Sequence, residues 1–236
     1  MRLVLSLAVV SLASALVGCA PEGSSAYVSV NVPPDDGCVY SPTSDVFISR
    51  GLFDIGATTV GTACKRSYFM HLVVNSNLKP NARDSTGRAE PNVLQIMEAD
   101  VRLMDKEKNT LNFKDKDGNP DSALPNPFRV QTANSLSPAS GREPSMGMAS
   151  IEAIPRAYAS KLSQYNSDNI LIEVQIFGVT TGDVDIDFKP FIYPVNICQG
   201  CLSKCLTAVK ANEDPYGEGC VDNAAADGRY CIDPSC

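Results

Sequence analysis

The sequence Ile170-Leu171-Ile172-Glu173-Val174-Gln175-Ile176 is the clearest strand pattern in this chain. Its isoleucines and valine recur at every second position, while Glu173 and Gln175 lie between them, as in a β-strand with one buried face. The strand is expected to continue to Val179, and Thr180-Thr181-Gly182-Asp183 then supplies turn-forming residues before strict alternation resumes over Val184–Phe188. This region therefore predicts a β-hairpin.

Further segments of strand length lie on the N-terminal side of this hairpin and directly after it. They are apolar runs or alternating patterns that end near Pro, Gly or polar residues, at 27–32, 68–74, 93–104, 128–132, 146–154 and 191–197. This number of short strands predicts a mainly β fold, an antiparallel β-sandwich of immunoglobulin- or fibronectin-like architecture over residues 27–197. One helix is expected at 155–165, with Pro155 in its first turn.

The overall composition excludes several classes of function. The chain has 236 residues, a formal net charge of −7 and a single His. Nucleic-acid binding needs clustered Lys and Arg, and no basic cluster is present. A single His also makes a Ser-His-Asp triad or a multi-His metal site difficult to build.

The N-terminus has the features of an export signal. Met1-Arg2 is followed by 15 uncharged, mostly apolar residues, Leu3–Val17, which is too short for a membrane-spanning helix and typical of a signal-peptide core. The run ends in Leu16-Val17-Gly18-Cys19. This motif resembles the lipobox of bacterial lipoproteins. An ordinary secreted protein, cleaved after Ala13-Ser14-Ala15, is the alternative.

The resemblance to bacterial lipoproteins implies that residues 1–18 are removed as a signal peptide. Cys19 would then be acylated, for instance with palmitate, and would anchor the protein in a membrane. Residues 19–26 would form a short lipidated tether before the β domain. Ala20, in place of Asp after the Cys, implies by the lipoprotein sorting rule a location in the cell envelope at the outer membrane, facing either the periplasm or the cell surface.

The remaining cysteines are even in number, as expected for a chain with four disulfides in an oxidising compartment. They are Cys38, Cys64, Cys198, Cys201, Cys205, Cys220, Cys231 and Cys236. The simplest pairing joins the first two and closes three bridges within residues 198–236, a segment too small to be held by a hydrophobic core. We therefore expect a disulfide-stapled C-terminal module. A zinc or redox site at Cys198-Gln199-Gly200-Cys201 is the alternative.

One loop carries oxygen side chains at the spacing of a calcium loop. These residues are Asp115, Asp117, Asn119 and Asp121. The sequence departs from the EF-hand pattern at Pro120 and at Asn126, which stand where Gly and Glu are required. A polar turn built on Asp-Gly and Asn-Pro is the simpler interpretation. For Asp183, Asp185 and Asp187, which share one strand face, we expect a solvated surface.

The candidate catalytic residues are few. His71 lies in an apolar run and is expected to be a core or edge histidine, and Ser76-Asn77-Leu78-Lys79 is an isolated SxxK motif without its companion motifs. We therefore predict a non-enzymatic binding or scaffold module, with a protein or glycan partner, the membrane lipid held through Cys19 and no cofactor. A calcium-assisted ligand- or glycan-binding module is the first alternative, and a hydrolase is the second.

Overall fold

The structure is a computed structural model that describes residues 25–35, 39–55, 67–81, 90–165 and 169–199. Over these residues the chain forms nine β-strands. They are β1 (Ala26–Asn31), β2 (Gly51–Asp54), β3 (Tyr68–Ser76), β4 (Leu94–Met104), β5 (Phe128–Leu136), β6 (Ser145–Ile154), β7 (Asn169–Thr180), β8 (Asp185–Asp187) and β9 (Phe191–Cys198). None of the described residues belongs to a helix long and apolar enough to cross a membrane.

The strands form two sheets. One has three strands in the order β1-β3-β6, and the other has six, in the order β2-β9-β7-β4-β5 with β8 paired to the C-terminal part of β7. Neighbouring strands are antiparallel except β2 and β9, which are parallel. The fold is therefore mainly β with two sheets, as the sequence patterns predicted.

The two sheets contribute to one hydrophobic core. Alternate residues of β3, from Tyr68 to Val74, and of β7, from Ile170 to Ile176, are fully buried in it. The ring edge of Phe53 in β2 meets Tyr68 of β3, with 6.1 Å between ring centroids, so the two sheets are in contact there. The period-2 pattern of the hairpin sequence is thus confirmed, because its apolar side faces this core.

The hairpin itself forms as predicted. Thr180 N donates to Val184 O at 2.9 Å, and Asp183 adopts a left-handed φ of 61° within the turn. The returning strand, β8, is shorter than the predicted segment and pairs only with residues 177–179 of β7. Asp183, Asp185 and Asp187 are exposed, as expected for a solvated edge.

The helix predicted at 155–165 is wrong. The segment instead forms two short 3-10 helices, Arg156–Tyr158 and Leu162–Tyr165. Its backbone bonds span three residues, as in the bond from Tyr158 N to Pro155 O at 2.9 Å. Tyr158 packs against Phe113 and Phe128, and its hydroxyl donates to Pro125 O at 2.5 Å. Burying this side chain and Leu162 favours two tight turns over one continuous α-helix.

Strand β2 was not expected from the sequence, because four residues carry too little periodicity to predict it. Gly51 begins the strand at a very close approach. A Cβ built on Gly51 would lie 1.9 Å from Oη of Tyr68, so only glycine fits here without displacing a buried ring.

Residues 105–127 form a long excursion between β4 and β5 that Asn126 holds in place. Its Oδ1 accepts from Leu103 N at 2.9 Å, and its Nδ2 donates to the carbonyls of Leu103 and Leu111, both at 2.8 Å. One amide side chain thus ties the end of the excursion to its beginning and to β4.

Candidate binding surface

The outward side of the three-stranded sheet forms a surface that we call the small-sheet face. It consists of residues of the three strands that the strand register brings side by side, and a bulge in β1 adds Val30 opposite Val73. These residues are Tyr27, Ser29, Val30, Phe69, His71, Val73, Asn75, Met146, Met148, Ser150 and Glu152. The middle of this face is covered, because Tyr40 stacks on His71 and because Val73 and Asn75 are buried. Tyr27, Phe69 and Met146 are exposed large hydrophobic side chains.

His71 lies at the centre of the small-sheet face. The register places it opposite Ser150, whose Oγ lies 3.0 Å from His71 Nδ1. The ring of Tyr40 stacks on the imidazole, with 3.5 Å between ring centroids. Burial lowers the pKa of His71 to about 4, because a desolvated imidazole disfavours the charged form. At neutral pH the ring is therefore uncharged.

An open groove of about 620 Å³ lies beside this histidine. It is lined by Val39, Tyr40, Pro42, Asn134, Gly147, Met148 and Ser150. Nδ2 of Asn134, on β5, donates to the carbonyl of Met148, on β6, so the two sheets are joined along the groove wall. The groove is shallow and widely open; its lining is mostly apolar, and its polar groups are the amide of Asn134 and the hydroxyls of Tyr40 and Ser150.

The small-sheet face carries little charge. Glu152 is the only acidic or basic side chain in it other than His71, and its Oε1 accepts a hydrogen bond from Ser67 Oγ at 2.5 Å. Its composition therefore suits contact with an uncharged or apolar surface, since a charge removed from water costs free energy.

The outward side of the six-stranded sheet also exposes large apolar side chains, Met97, Phe177 and Ile192, but it carries more charge. Arg129 on β5 contacts Asp100 and Glu98 on β4, each at 2.7 Å, and its guanidinium lies 4.9 Å from the ring centroid of Phe177. Arg102 pairs with Glu173 at 3.4 Å. Both signs of charge thus alternate across this sheet in mutual pairs, which is typical of a solvated face.

The candidate calcium loop at residues 115–121 is organised as a turn. Asp115 Oδ1 accepts hydrogen bonds from the backbone N–H groups of Asp117 and Asn119, both at 2.9 Å. Asp121 accepts from Ala123 N at 3.1 Å and pairs with Lys161 Nζ at 3.3 Å. Within the described part of the chain, no group of three or more Asp, Glu, His or Cys could hold a metal ion. The geometry therefore supports the polar-turn interpretation of this loop.

A smaller cavity of about 300 Å³ lies next to this turn. It is bounded by the residues of the excursion on both sides of the turn, at 111–114, 120–121 and 124–126. Asp121, whose carboxylate pairs with Lys161, is the one acidic residue in its lining.

The structure separates the residues of the SxxK motif. Ser76 is buried, and its Oγ accepts from Leu78 N at 3.3 Å. Lys79 Nζ donates instead to Gly141 O at 2.8 Å. Ser76 and Lys79 are thus engaged with backbone groups, and His71 is bonded to Ser150.

Cys198 is the only predicted disulfide or lipidation residue among the described residues. It ends β9 opposite Asp54 of β2, its Sγ lies 3.7 Å from Phe53 O, and it is disulfide-bonded. The other cysteines lie outside the described residues, so their lipidation and pairing stay predictions. They are Cys19, Cys38, Cys64, Cys201, Cys205, Cys220, Cys231 and Cys236.

Two groove residues, Tyr40 and Asn134, were not identified from the sequence. Tyr40 belongs to a segment without strand periodicity, and Asn134 lies beyond the predicted end of β5. Only the alternation of β5 past Thr132 could have pointed to Asn134.

No protein-family model matches this chain, and no curated protein matches it in sequence.

Proposed function

We propose that this protein is a lipid-anchored, non-enzymatic binding module of the bacterial cell envelope, located at the outer membrane. In this proposal the two sheets form an antiparallel β-sandwich of immunoglobulin-like architecture, followed by a disulfide-stapled module at residues 198–236. The small-sheet face, with its groove, is the binding surface. The observation that carries the proposal is this preformed groove beside the stacked pair of Tyr40 and His71.

The anchoring part of the proposal is supported by the N-terminal sequence. The apolar run Leu3–Val17 and the motif Leu16-Val17-Gly18-Cys19 agree in position and composition. An even number of cysteines remains once Cys19 is set aside, and Cys198 is disulfide-bonded. Both features agree with export to an oxidising compartment.

The binding part is supported by the rigidity of the groove walls. The segment that carries Tyr40 is held to the sheet by its ring stack on His71, and Ile48 N donates to Asn31 O at 2.9 Å further along the same segment. The opposite wall is fixed by the bond from Asn134 to Met148. A groove that is ordered before binding loses less conformational entropy when it is occupied.

Two variants test anchoring and binding separately. The first is Cys19→Ala, which is expected to move the protein from the membrane fraction to the soluble fraction without changing its melting temperature. If the variant stays in the membrane fraction, the proposal that Cys19 anchors the protein is wrong.

The second test places a photo-crosslinking amino acid at Val39, in the groove, or at Met97, on the six-stranded sheet. These positions are matched in exposure, at 59% and 56%. In intact cells we expect an adduct of defined mass from Val39 and none from Met97. Equal yields at both positions, or no adduct at Val39, would contradict a binding role for the groove.

A further inference from the structure

We infer that the small-sheet face binds the lipid surface itself, so that the sheet lies against the bilayer in which Cys19 is anchored. This inference rests on the proposed lipid anchor and names the partner of the same surface. It follows from where the tether joins the fold, from the chemistry of the face and from the difference in charge between the two faces, since both expose large apolar side chains.

The tether brings this sheet close to the membrane. Cys19 precedes Ser25 by six residues, and β1 begins at the next residue. Six residues reach at most about 21 Å. This reach is shorter than β7, whose 12 residues extend over about 36 Å. The start of β1, and with it Tyr27, is therefore held near the bilayer.

The exposed side chains of the face are of the kind that lipid interfaces accept. Tyr27, the second residue of β1, is exposed, and so are Phe69 on β3 and Met146 on β6. Tyrosine is favoured where an apolar medium meets water, since its ring is apolar and its hydroxyl can stay hydrated. The strand register spreads these three side chains over the face from the start of β6 to the start of β3.

The charges of the molecule support this orientation. Among the residues of the small-sheet face, Glu152 is the only carboxylate, and it is hydrogen-bonded to Ser67. The six-stranded sheet carries Glu98, Asp100 and Arg129 on its outward side. Turning the small-sheet face to the bilayer leaves these charges in water, whereas the opposite orientation would remove them from it.

The attachment at Cys19 makes a weak interaction sufficient. Once one end of a short tether is fixed in the membrane, contact between face and lipid becomes an intramolecular step with a high effective concentration. A few interfacial side chains can then hold the sheet against the headgroups, although the same face would not bind vesicles without the anchor.

Tryptophan reporters test the inference directly, because the chain contains no Trp. Tyr27→Trp places the indole on the small-sheet face, and Phe177→Trp is the matched control on the six-stranded sheet. Both native side chains are 37% exposed. Full-length lipidated protein is incorporated into vesicles of phosphatidylethanolamine and phosphatidylglycerol, with either ordinary or brominated acyl chains, and recovered by flotation.

We expect the emission of Tyr27→Trp to shift to shorter wavelength and to be quenched by the brominated lipid, while Phe177→Trp is not quenched. Phe69→Trp is a second reporter and is expected to behave like Tyr27→Trp. If all reporters stay unquenched on floated vesicles, or are quenched equally, the face does not bind lipid and is open to a protein or glycan partner. If the protein does not float with the vesicles, the proposed anchor at Cys19 is wrong, and the inference is wrong as well.

Discussion

The imidazole of His71 stacks on the phenol ring of Tyr40, with ring centroids 3.5 Å apart and planes inclined by 23°. Tyr40 belongs to a segment outside the sheets and His71 to the central strand of the three-stranded sheet. The stack therefore covers one side of the imidazole, and Ser150 is bonded to Nδ1 from the neighbouring strand. Together these contacts keep water away from the ring, which is why its pKa is low.

The first prediction is a loss of stability on acidification that depends on His71. Its pKa is lowered from 6.5 to about 4 in the folded protein. Between these two values the unfolded chain binds a proton that the folded chain does not, so the free energy of unfolding falls as the pH decreases. Because the ring is partly exposed, the total loss is at most about 3 kcal/mol. Chemical denaturation at a series of pH values measures it.

The control for this prediction is His71→Gln, which keeps a polar side chain and cannot titrate. It is expected to lose less stability than the native protein between pH 6.5 and 4. NMR of the single histidine gives its pKa directly, and Tyr40→Ala should raise that pKa towards 6.5. An unchanged pKa in Tyr40→Ala would show that the stack does not cause the shift.

The second prediction concerns the close approach of Gly51 and Tyr68. A Cβ on Gly51 would lie 1.9 Å from Tyr68 Oη and 3.1 Å from Cγ2 of Val195. Tyr68 is fully buried and cannot move aside. Gly51→Ala is therefore expected to reduce the free energy of unfolding by about 1–3 kcal/mol, as overpacked cores do. Urea denaturation measures the change.

A double-mutant cycle identifies the clash as the cause. In a Tyr68→Phe background the hydroxyl is gone but Cζ, 2.7 Å from the added Cβ, stays, so Gly51→Ala should cost about 1 kcal/mol less than in the native protein without becoming neutral. Additive effects of the two substitutions would mean that the contact with the hydroxyl does not cause the cost of Gly51→Ala.

The arrangement of these sheets follows from the sequence only where the strands are long. β7 carries the period-2 pattern from Ile170 to Ile176, and the ends of β4 and β6 were predicted within a residue or so. β2 has four residues and is recognisable only because β9 lies beside it. The segment after Pro155 has helical composition, but burial of Tyr158 and Leu162 decides its local geometry. Tertiary contacts override weak local preferences in both cases.

The candidate surface was harder to predict than the fold. His71 was expected to be a core or edge histidine, but it lies on the outward side of β3, the central strand of its sheet, where the ring of Tyr40 covers it. The groove beside it needs Tyr40 and Asn134, which are far apart in the sequence and meet only through the pairing of β3 with β6 and the contact of β6 with β5. A local sequence pattern cannot predict that residues so far apart in the chain line the same groove.

The third prediction concerns Asn126, which makes three hydrogen bonds to the backbone of Leu103 and Leu111. Asn126→Ala leaves partly buried backbone groups without partners and is expected to cost about 2 kcal/mol of stability. Asn126→Asp keeps the acceptor oxygen but removes both N–H donors. Its free energy of unfolding at neutral pH should therefore be no higher than that of Asn126→Ala. Faster hydrogen exchange at the amide of Leu103 is the local readout. Asn112→Ala, an exposed asparagine in the same excursion, is the control and should change neither quantity.

The fourth prediction distinguishes a polar turn from a calcium loop at residues 115–121. In the turn, the side chain of Asp115 accepts two backbone hydrogen bonds, whereas Asp117 contributes only its backbone N–H. Asp115→Ala is therefore expected to lower stability by about 1 kcal/mol, equally in millimolar calcium and in EDTA. Asp117→Ala should change the stability little in either buffer. Asp115→Asn, which keeps an acceptor oxygen, should retain most of the stability of the native protein.

A calcium loop would give a different set of results, because every carboxylate ligand contributes to the affinity for the ion. The native protein would then melt at a higher temperature in calcium than in EDTA, and both Asp115→Ala and Asp117→Ala would abolish the difference. Thermal unfolding of the native protein and the three variants in both buffers is sufficient. A calcium-dependent stabilisation that disappears in Asp117→Ala would overturn the turn interpretation, since the backbone N–H of residue 117 is still present in that variant.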